Sequence, residues 1–323
     1  MKAIVQDTYG SSDVLELRDV ETPKPGPGEV LIAVRAAGVD AGVWHLMSGR
    51  PYLLRLMGYG LRAPKVAVRG REVSGRVEAV GGGVSAFKPG DEVFGICEGS
   101  FAEYVCARQD KLAHKPAGLP LEEAAALPLS GLTALQALRD VGRVRPGQRV
   151  LVIGAAGGVG TFAVQLAKAY GAHVTGVCST AKTELVRSLG ADEAIDYTRE
   201  DFADGVRQYD LILDTAGNRG LSHLRRALMP RGRLVIVGGE GGGRWLGGID
   251  RVLRAALLNP FVRHTLGGIF AAERQSDLEV LRRHVEDGTL SPAVQRTFPL
   301  AQAPEAVERL HRGEARGKML IIP

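Results

Sequence analysis

Residues 149–160, RVLVIGAAGGVG, constrain the fold more than any other stretch of this chain. An apolar β-type run ends at Ile153, glycines follow at Gly154, Gly157, Gly158 and Gly160, and the chain reopens as TFAVQLAKAYGA with helical apolar spacing. A strand that turns through glycine straight into a helix brings unpaired N–H groups and roughly half a positive charge to one point. A pyrophosphate suits that point, held by Gly154, Gly157, Gly158, Val159 and Gly160. Glycine spacing alone is weak in a chain with 43 glycines; the strand before it and the helix after it make it specific. The competing reading is a tight strand-to-helix turn without a ligand.

The surrounding rhythm agrees. Strands are expected at 149–153, 173–178, 193–196, 210–214 and 233–237, with segments of helical length between them, the pattern of a parallel, doubly wound α/β sheet. From residue 1 to about 120 the pattern differs: KAIVQ, EVLIAVRAAGV, REVSGRVEAVG, DEVFGI and FAEYVCAR are short β-type runs cut by Pro and Gly, which predicts an antiparallel, barrel-like unit. The tail after about residue 275 predicts a helix capped by Ser276, then strand and helix. It is too short to fold alone and is expected to pack on the N-terminal unit. A length of 323 residues also exceeds what one core usually supports, so two domains are expected.

Where an NAD site places an acid after its second strand, this chain reads GVCSTAKTE, with Ser179 and Thr180 in the acid's place and Lys182 behind them. A hydroxyl and an ammonium suit a 2′-phosphate, so NADPH is expected over NADH. The plain alternative is that Ser179 and Thr180 cap the following helix.

Charge and cysteine content exclude other classes. The 41 basic and 36 acidic residues are interleaved, which argues against a nucleic-acid partner. No apolar run is long enough to span a bilayer and no signal-type segment opens the sequence, so a cytoplasmic protein without a membrane partner is expected. Cys97, Cys106 and Cys178 form no C-x-x-C pair, which argues against both a disulfide scaffold and a structural zinc.

In order and spacing, PGPGEVLIAVRAAGVD, GREVSGRVEAVGGGVSAFKPGDEVFG, GSFAEYV, AAALPLSGLTALQAL, the glycine turn, SLGADEAIDY and DLILDTAGN resemble the medium-chain dehydrogenase/reductase superfamily, in its zinc-free, quinone-oxidoreductase-like branch. The resemblance covers nearly the whole chain. It implies a GroES-like catalytic domain from residues 1–122 completed by 271–323, a Rossmann domain at 123–270, and cofactor and substrate meeting in an interdomain cleft. It further implies that Ser179, Lys182 and Tyr197 contact the 2′-phosphate, that Thr133 and Gly238 to Glu240 lie near the nicotinamide, and that Lys318 approaches the cofactor. The segment FVRHTLGGIF matches the place where relatives pair edge strands, so a homodimer is expected.

The same resemblance locates the catalytic zinc ligands of metal-dependent relatives near Asp40, Arg71 and residues 128–130. Arginine offers no lone pair to a metal at accessible pH, so no zinc is expected, and Asp40 and Arg71 are expected to form an ion pair that Glu72 could join. Alcohol oxidation needs an alkoxide stabilised by a Lewis acid, whereas hydride delivery to an electron-poor carbon needs positioning and hydrogen-bond donors. The expected activity is therefore NADPH-dependent reduction of a hydrophobic quinone or enone, with His45 and Tyr52 as candidate donors. The alternatives are an alcohol dehydrogenase and a low-turnover NADPH-binding protein.

Overall fold

A computed structural model describes residues 1–239 and 243–323. The chain divides into one compact unit of Met1–Leu132 with Ala272–Pro323 and a second of Thr133–Ala271.

In the first unit β1 (Lys2–Val5) pairs antiparallel with β2 (Glu16–Asp19). The central strand is β3 (Glu29–Val39), followed by helix α1 (Ala41–Ser48), β4 (Glu72–Val80), β5 (Glu92–Ile96), β6 (Tyr104–Arg108) and β7 (Leu112–His114). Strand β3 pairs with β4 along most of its length, and its register shifts twice, between Leu31 and Ile32 and between Val34 and Ala36. Such irregularities bend a strand, and β3 changes neighbour along its other edge, with β6 beside residues 29–33. Short helices α2 (Leu121–Ala124) and α3 (Pro128–Gln136) lead out of this unit.

The second unit runs β8 (Arg149–Ile153), α4 (Gly158–Ala169), β9 (His173–Cys178), α5 (Thr183–Ser188), β10 (Glu193–Asp196), β11 (Tyr209–Asp214), α6 (Leu221–Arg226), β12 (Leu228–Ile236), α7 (Ile249–Leu258) and β13 (Thr265–Gly268). Its sheet has the order β10-β9-β8-β11-β12-β13, every pairing parallel. The expected strands are present; β12 starts five residues before 233 because Leu228 already pairs with Tyr209. Leu151, Ile153, Ile212 and Leu234 are almost wholly buried, as strands covered on both faces must be.

The chain then returns to the first unit through α8 (Gln275–Glu286), β14 (Val294–Pro299), α9 (Ala303–His311) and β15 (Lys318–Ile322). Strand β15 pairs antiparallel with Ala37–Val39 of β3 and parallel with β14, which makes the C-terminal segment part of the first unit's sheet. Phe298, Leu300, Val307 and Ile321 pack there with Ile4, Met47 and Phe101. Ser276 does not cap α8: it lies inside the first turn, and the cap position falls on Arg274, whose side chain makes no capping bond. No described helix is long and apolar enough to cross a membrane.

Candidate active site

In the second unit the glycine turn has the conformation its sequence demands. Gly154 has φ of 81°, in the left-handed region that side chains avoid, and a Cβ there would stand 2.5 Å from the Thr215 hydroxyl. That hydroxyl donates to the Ile153 carbonyl at 2.7 Å, tying the ends of β8 and β11 together. Gly160 lets α4 pack on the turn, since a Cβ would lie 2.1 Å from the Gly154 oxygen. Gly157, the cap residue of α4, is different: the one atom near a Cβ there is the Gly154 oxygen at 3.4 Å, so the fold itself leaves space at this position. Gly158, Val159 and Gly160 open α4, where the N–H groups of a first turn have no acceptor within the helix. An anion matches that turn.

After β9, Ser179 is the cap residue of a short turn over Thr180–Lys182, but its side chain makes no capping bond, and Lys182 makes none before α5. The Thr180 hydroxyl is committed elsewhere, donating to Asp196, which also accepts from the Thr198 N–H at 3.0 Å and hydroxyl at 2.7 Å. These hydrogen bonds, Thr180's foremost, hold the Asp196 carboxyl below its ordinary value. Sequence reading passed over Asp196, which lies in register with Cys178 on a different strand. Tyr197 follows it, half exposed. Gly238 ends the segment after β12, and Arg251 of α7 reaches back to it: its Nη2 donates to Asp214 at 2.5 Å and to the Arg219 carbonyl at 2.7 Å, and its Nη1 to the Gly238 carbonyl at 3.4 Å. Glu240 lies outside the described residues. Thr133 is half-buried on α3.

The first unit contains a cavity of about 430 Å³, walled by Val43 and Leu46 of α1, by the turn through Met57–Tyr59, by residues 64–66 and 68–71 and by Glu98 and Gly99. His45 and Tyr52 are not among its lining residues. His45 lies on the intervening turn of α1 with Nδ1 2.9 Å from the Arg50 carbonyl oxygen, and the Tyr52 ring lies beneath the Arg55 guanidinium at 4.8 Å. Tyr59 and Arg69, which carry no local sequence signal, do line it.

The expected Asp40–Arg71 ion pair is not formed. Arg71 instead pairs with Glu273, which also takes Lys111 at 3.3 Å. Asp40 spends Oδ1 on capping α1 through the Gly42 N–H at 2.6 Å, and its buried Oδ2 has no partner. Capping fixes the carboxylate against α1, and Glu273 arrives from the chain's return segment to take the guanidinium. Burial works against the Arg71 charge, but the fields of Asp40 and Glu273 outweigh it and hold the group above its ordinary value. Glu72 does not join this cluster either. Its carboxylate sits against the bare Cα of Gly38, accepts the Leu129 N–H at 2.8 Å and pairs with Lys318. Lys318, read from sequence as a cofactor contact, is 1% exposed, and its ammonium also reaches Ser130 at 3.2 Å. Burial pushes the Glu72 carboxyl up to about 7 against the opposing pull of Lys318. Among the described residues no group of three or more His, Cys, Asp or Glu side chains is arranged to hold a metal.

Residues 26–117 match the model of the alcohol dehydrogenase GroES-like domain, and residues 189–321 that of a zinc-binding dehydrogenase. The quinone oxidoreductase of Homo sapiens is 32% identical over 333 residues, covering 100% of this chain and 98% of the relative. The chain belongs to the medium-chain dehydrogenase/reductase superfamily, in its quinone-oxidoreductase-like branch. It is an oxidoreductase. The mitochondrial NAD(P)H oxidoreductase RTN4IP1 of Mus musculus, another similar member, is 34% identical over 99% of this chain and 89% of its own length. Among solved structures, this superfamily member is similar to the quinone oxidoreductase from Coxiella burnetii, with TM-score 0.87, 31% identity and coverage of 100% and 99% of the two chains. It is also similar to the Escherichia coli quinone oxidoreductase complexed with NADPH, with TM-score 0.86, 26% identity and full coverage of both chains.

Proposed function

We propose that this oxidoreductase uses NADPH to reduce a hydrophobic quinone or α,β-unsaturated carbonyl, without a metal ion. The reading is carried by the glycine turn, where Gly154 and Gly160 are demanded by the fold but Gly157 is not, so that Gly157 is left for close approach of a pyrophosphate to the backbone. The relative from Escherichia coli solved with NADPH supports the choice of cofactor class. Ser179, Lys182 and Tyr197 are assigned to the 2′-phosphate, and Thr133 and Gly238 to the nicotinamide, which supplies a hydride when bound.

The donor set is wrong for zinc. Arg71 has no lone pair to offer and is engaged by Glu273, while Glu72 is engaged by Lys318. The substrate must then be one whose acceptor carbon is already electron-poor. Of the residues lining the cavity, Tyr59 is the candidate donor to the oxygen that gains charge in the reduction. His45 and Tyr52 remain proposals for delivering the proton that completes the two-electron reduction.

Three unpaired cysteines suit the reducing cytoplasm proposed from the sequence. The proposed homodimer would use β13, the outer strand of its sheet, flanked by the exposed Phe261 and Phe270. A solved NAD-dependent alcohol dehydrogenase, 31% identical with TM-score 0.85, favours alcohol oxidation as a second reading. A screen of NADPH consumption over quinones, enones and aldehydes, with zinc measured on the same sample, separates the two. Turnover of quinones or enones at negligible zinc is expected. Zinc-dependent alcohol oxidation overturns the reading, and tight NADPH binding with no turnover of any substrate leaves a binding protein.

A further inference from the structure

Arg69 is a buried cation in the first unit that forms no ion pair within 4 Å among the described residues. Its backbone is clamped on both sides, N–H to the Ile4 carbonyl at 3.0 Å and carbonyl to the Phe101 N–H at 2.8 Å, so the side chain cannot swing away with its segment. The residue is only 5% exposed, yet it lines the cavity. Its Nε is sealed from solvent without an acceptor, and no side chain among the described residues forms an ion pair or hydrogen bond with the guanidinium. Burial lowers its proton affinity, and the charged or polar groups that act on it from nearby are Tyr9 and Glu98. Glu98 is exposed at the cavity wall, as is Lys65, while Arg71 already has Glu273.

Leaving a cation buried without a partner costs several kcal/mol, and an apolar side chain would fill the same space at no such cost. The remaining walls supply Val43, Leu46, Met57, Val66 and Val68. We infer that the cavity binds a substrate with an apolar body and a single carboxylate, and that Arg69 receives the carboxylate. A guanidinium fork matches a planar, singly charged carboxylate with two parallel hydrogen bonds, and neighbouring Glu98 disfavours a dianionic phosphate. A volume of about 430 Å³ admits a molecule of one or two rings. Arg69 is in this account a specificity residue: it holds the carboxylate and takes no part in hydride or proton transfer. The reduction step rests on the function proposed above; the binding step does not.

The test compares benzoylacrylate, an enone bearing a carboxylate, with its neutral methyl ester, using the full chain and NADPH. The acid is expected to show kcat/KM about tenfold above the ester, an advantage on the scale of one charge-assisted contact. Arg69→Met should bring the acid-to-ester ratio of kcat/KM close to one, whereas Arg69→Lys should keep part of the advantage. Glu98→Gln, in a protein with Arg69 intact, should raise the acid-to-ester ratio by a further twofold or so, which guards against misfolding of the Arg69 variants. Equal values for acid and ester in wild type, or equal losses for both in Arg69→Met, overturn the inference. If neither compound consumes NADPH, the proposed reaction is at fault, and calorimetric titration of benzoylacrylate decides the binding: a Kd weakened about tenfold in Arg69→Met supports the site, an unchanged Kd ends it.

Discussion

Glu72 and Lys318 stand 246 positions apart in the chain and meet as an ion pair with both side chains out of contact with solvent. The pair joins β4 to β15, and through the Leu129 N–H and the Ser130 hydroxyl it also fixes the start of α3. Removing one partner leaves the other uncompensated, which costs about 3–5 kcal/mol for buried pairs. Lys318→Met is expected to fall in that range by chemical unfolding, and the double variant Lys318→Met/Glu72→Gln to recover part of the loss. A double variant less stable than the single would show that the pair acts by some other route.

The deficit of Lys318→Met should also depend on pH, because burial holds the folded carboxyl above its unfolded value of 4.5, at about 7 even with Lys318 present. A carboxyl that binds its proton more tightly when folded loses stability as pH rises from the unfolded value through the folded one. Without Lys318 that folded value rises further. The deficit relative to wild type is therefore expected to stay level from pH 5 to about 7 and to grow from there to pH 8, as read from denaturation midpoints at each pH. A constant deficit would mean that Glu72 does not titrate in this window.

Gly157 and Gly160 are expected to respond differently to alanine. At Gly160 the new Cβ meets backbone at 2.1 Å, so melting should fall together with cofactor binding, by an overpacking penalty of about 1–3 kcal/mol. At Gly157 the nearest atom is 3.4 Å away, and melting should shift little while the NADPH Kd weakens about tenfold or more. An unchanged Kd in Gly157→Ala would remove the pyrophosphate from this turn.

If Ser179 and Lys182 hold the 2′-phosphate, NADPH binds at least about tenfold more tightly than NADH, and Lys182→Ala removes most of that ratio at nearly constant NADH affinity. Fluorescence titration with both nucleotides measures it. Equal affinities in the parent protein would refute the assignment.

The cavity orders the candidate donors. Tyr59→Phe is expected to lower kcat about tenfold or more with NADPH binding unchanged, the range of one lost transition-state hydrogen bond. His45→Ala and Tyr52→Phe, whose side chains lie outside the lining, are expected to have the smaller effects. Rates in Tyr59→Phe equal to wild type would return the tyrosine to a packing role.

Much of this arrangement is legible along the chain because its causes are local. Apolar runs such as Val150–Ile153 and the positive φ required at Gly154 are set by a few consecutive residues, and they foretold β8, the turn and α4. The early start of β12 was not legible, since it depends on a partner strand nearly twenty residues away. Nor was the missing cap at Ser276: Arg274 takes that position, and its side chain makes no capping bond.

The charged cluster shows the limit most plainly. From the sequence alone, Asp40 and Arg71 have opposite charge and matching family positions, and nothing local reveals that Asp40 caps its own helix while Glu273, 202 residues beyond Arg71, takes the guanidinium. With 41 basic and 36 acidic side chains, partner choice is a matter of which few meet in space. Sequence by itself determined the alternation of elements, the phosphate-type turn and the family, because periodicity and backbone conformation act over a few residues. Only the tertiary structure decided that Arg71 pairs with Glu273, that Glu72 is held by Lys318, and that Arg69 faces the cavity with no acceptor, because ion pairing and desolvation depend on neighbours that packing brings together from distant parts of the chain.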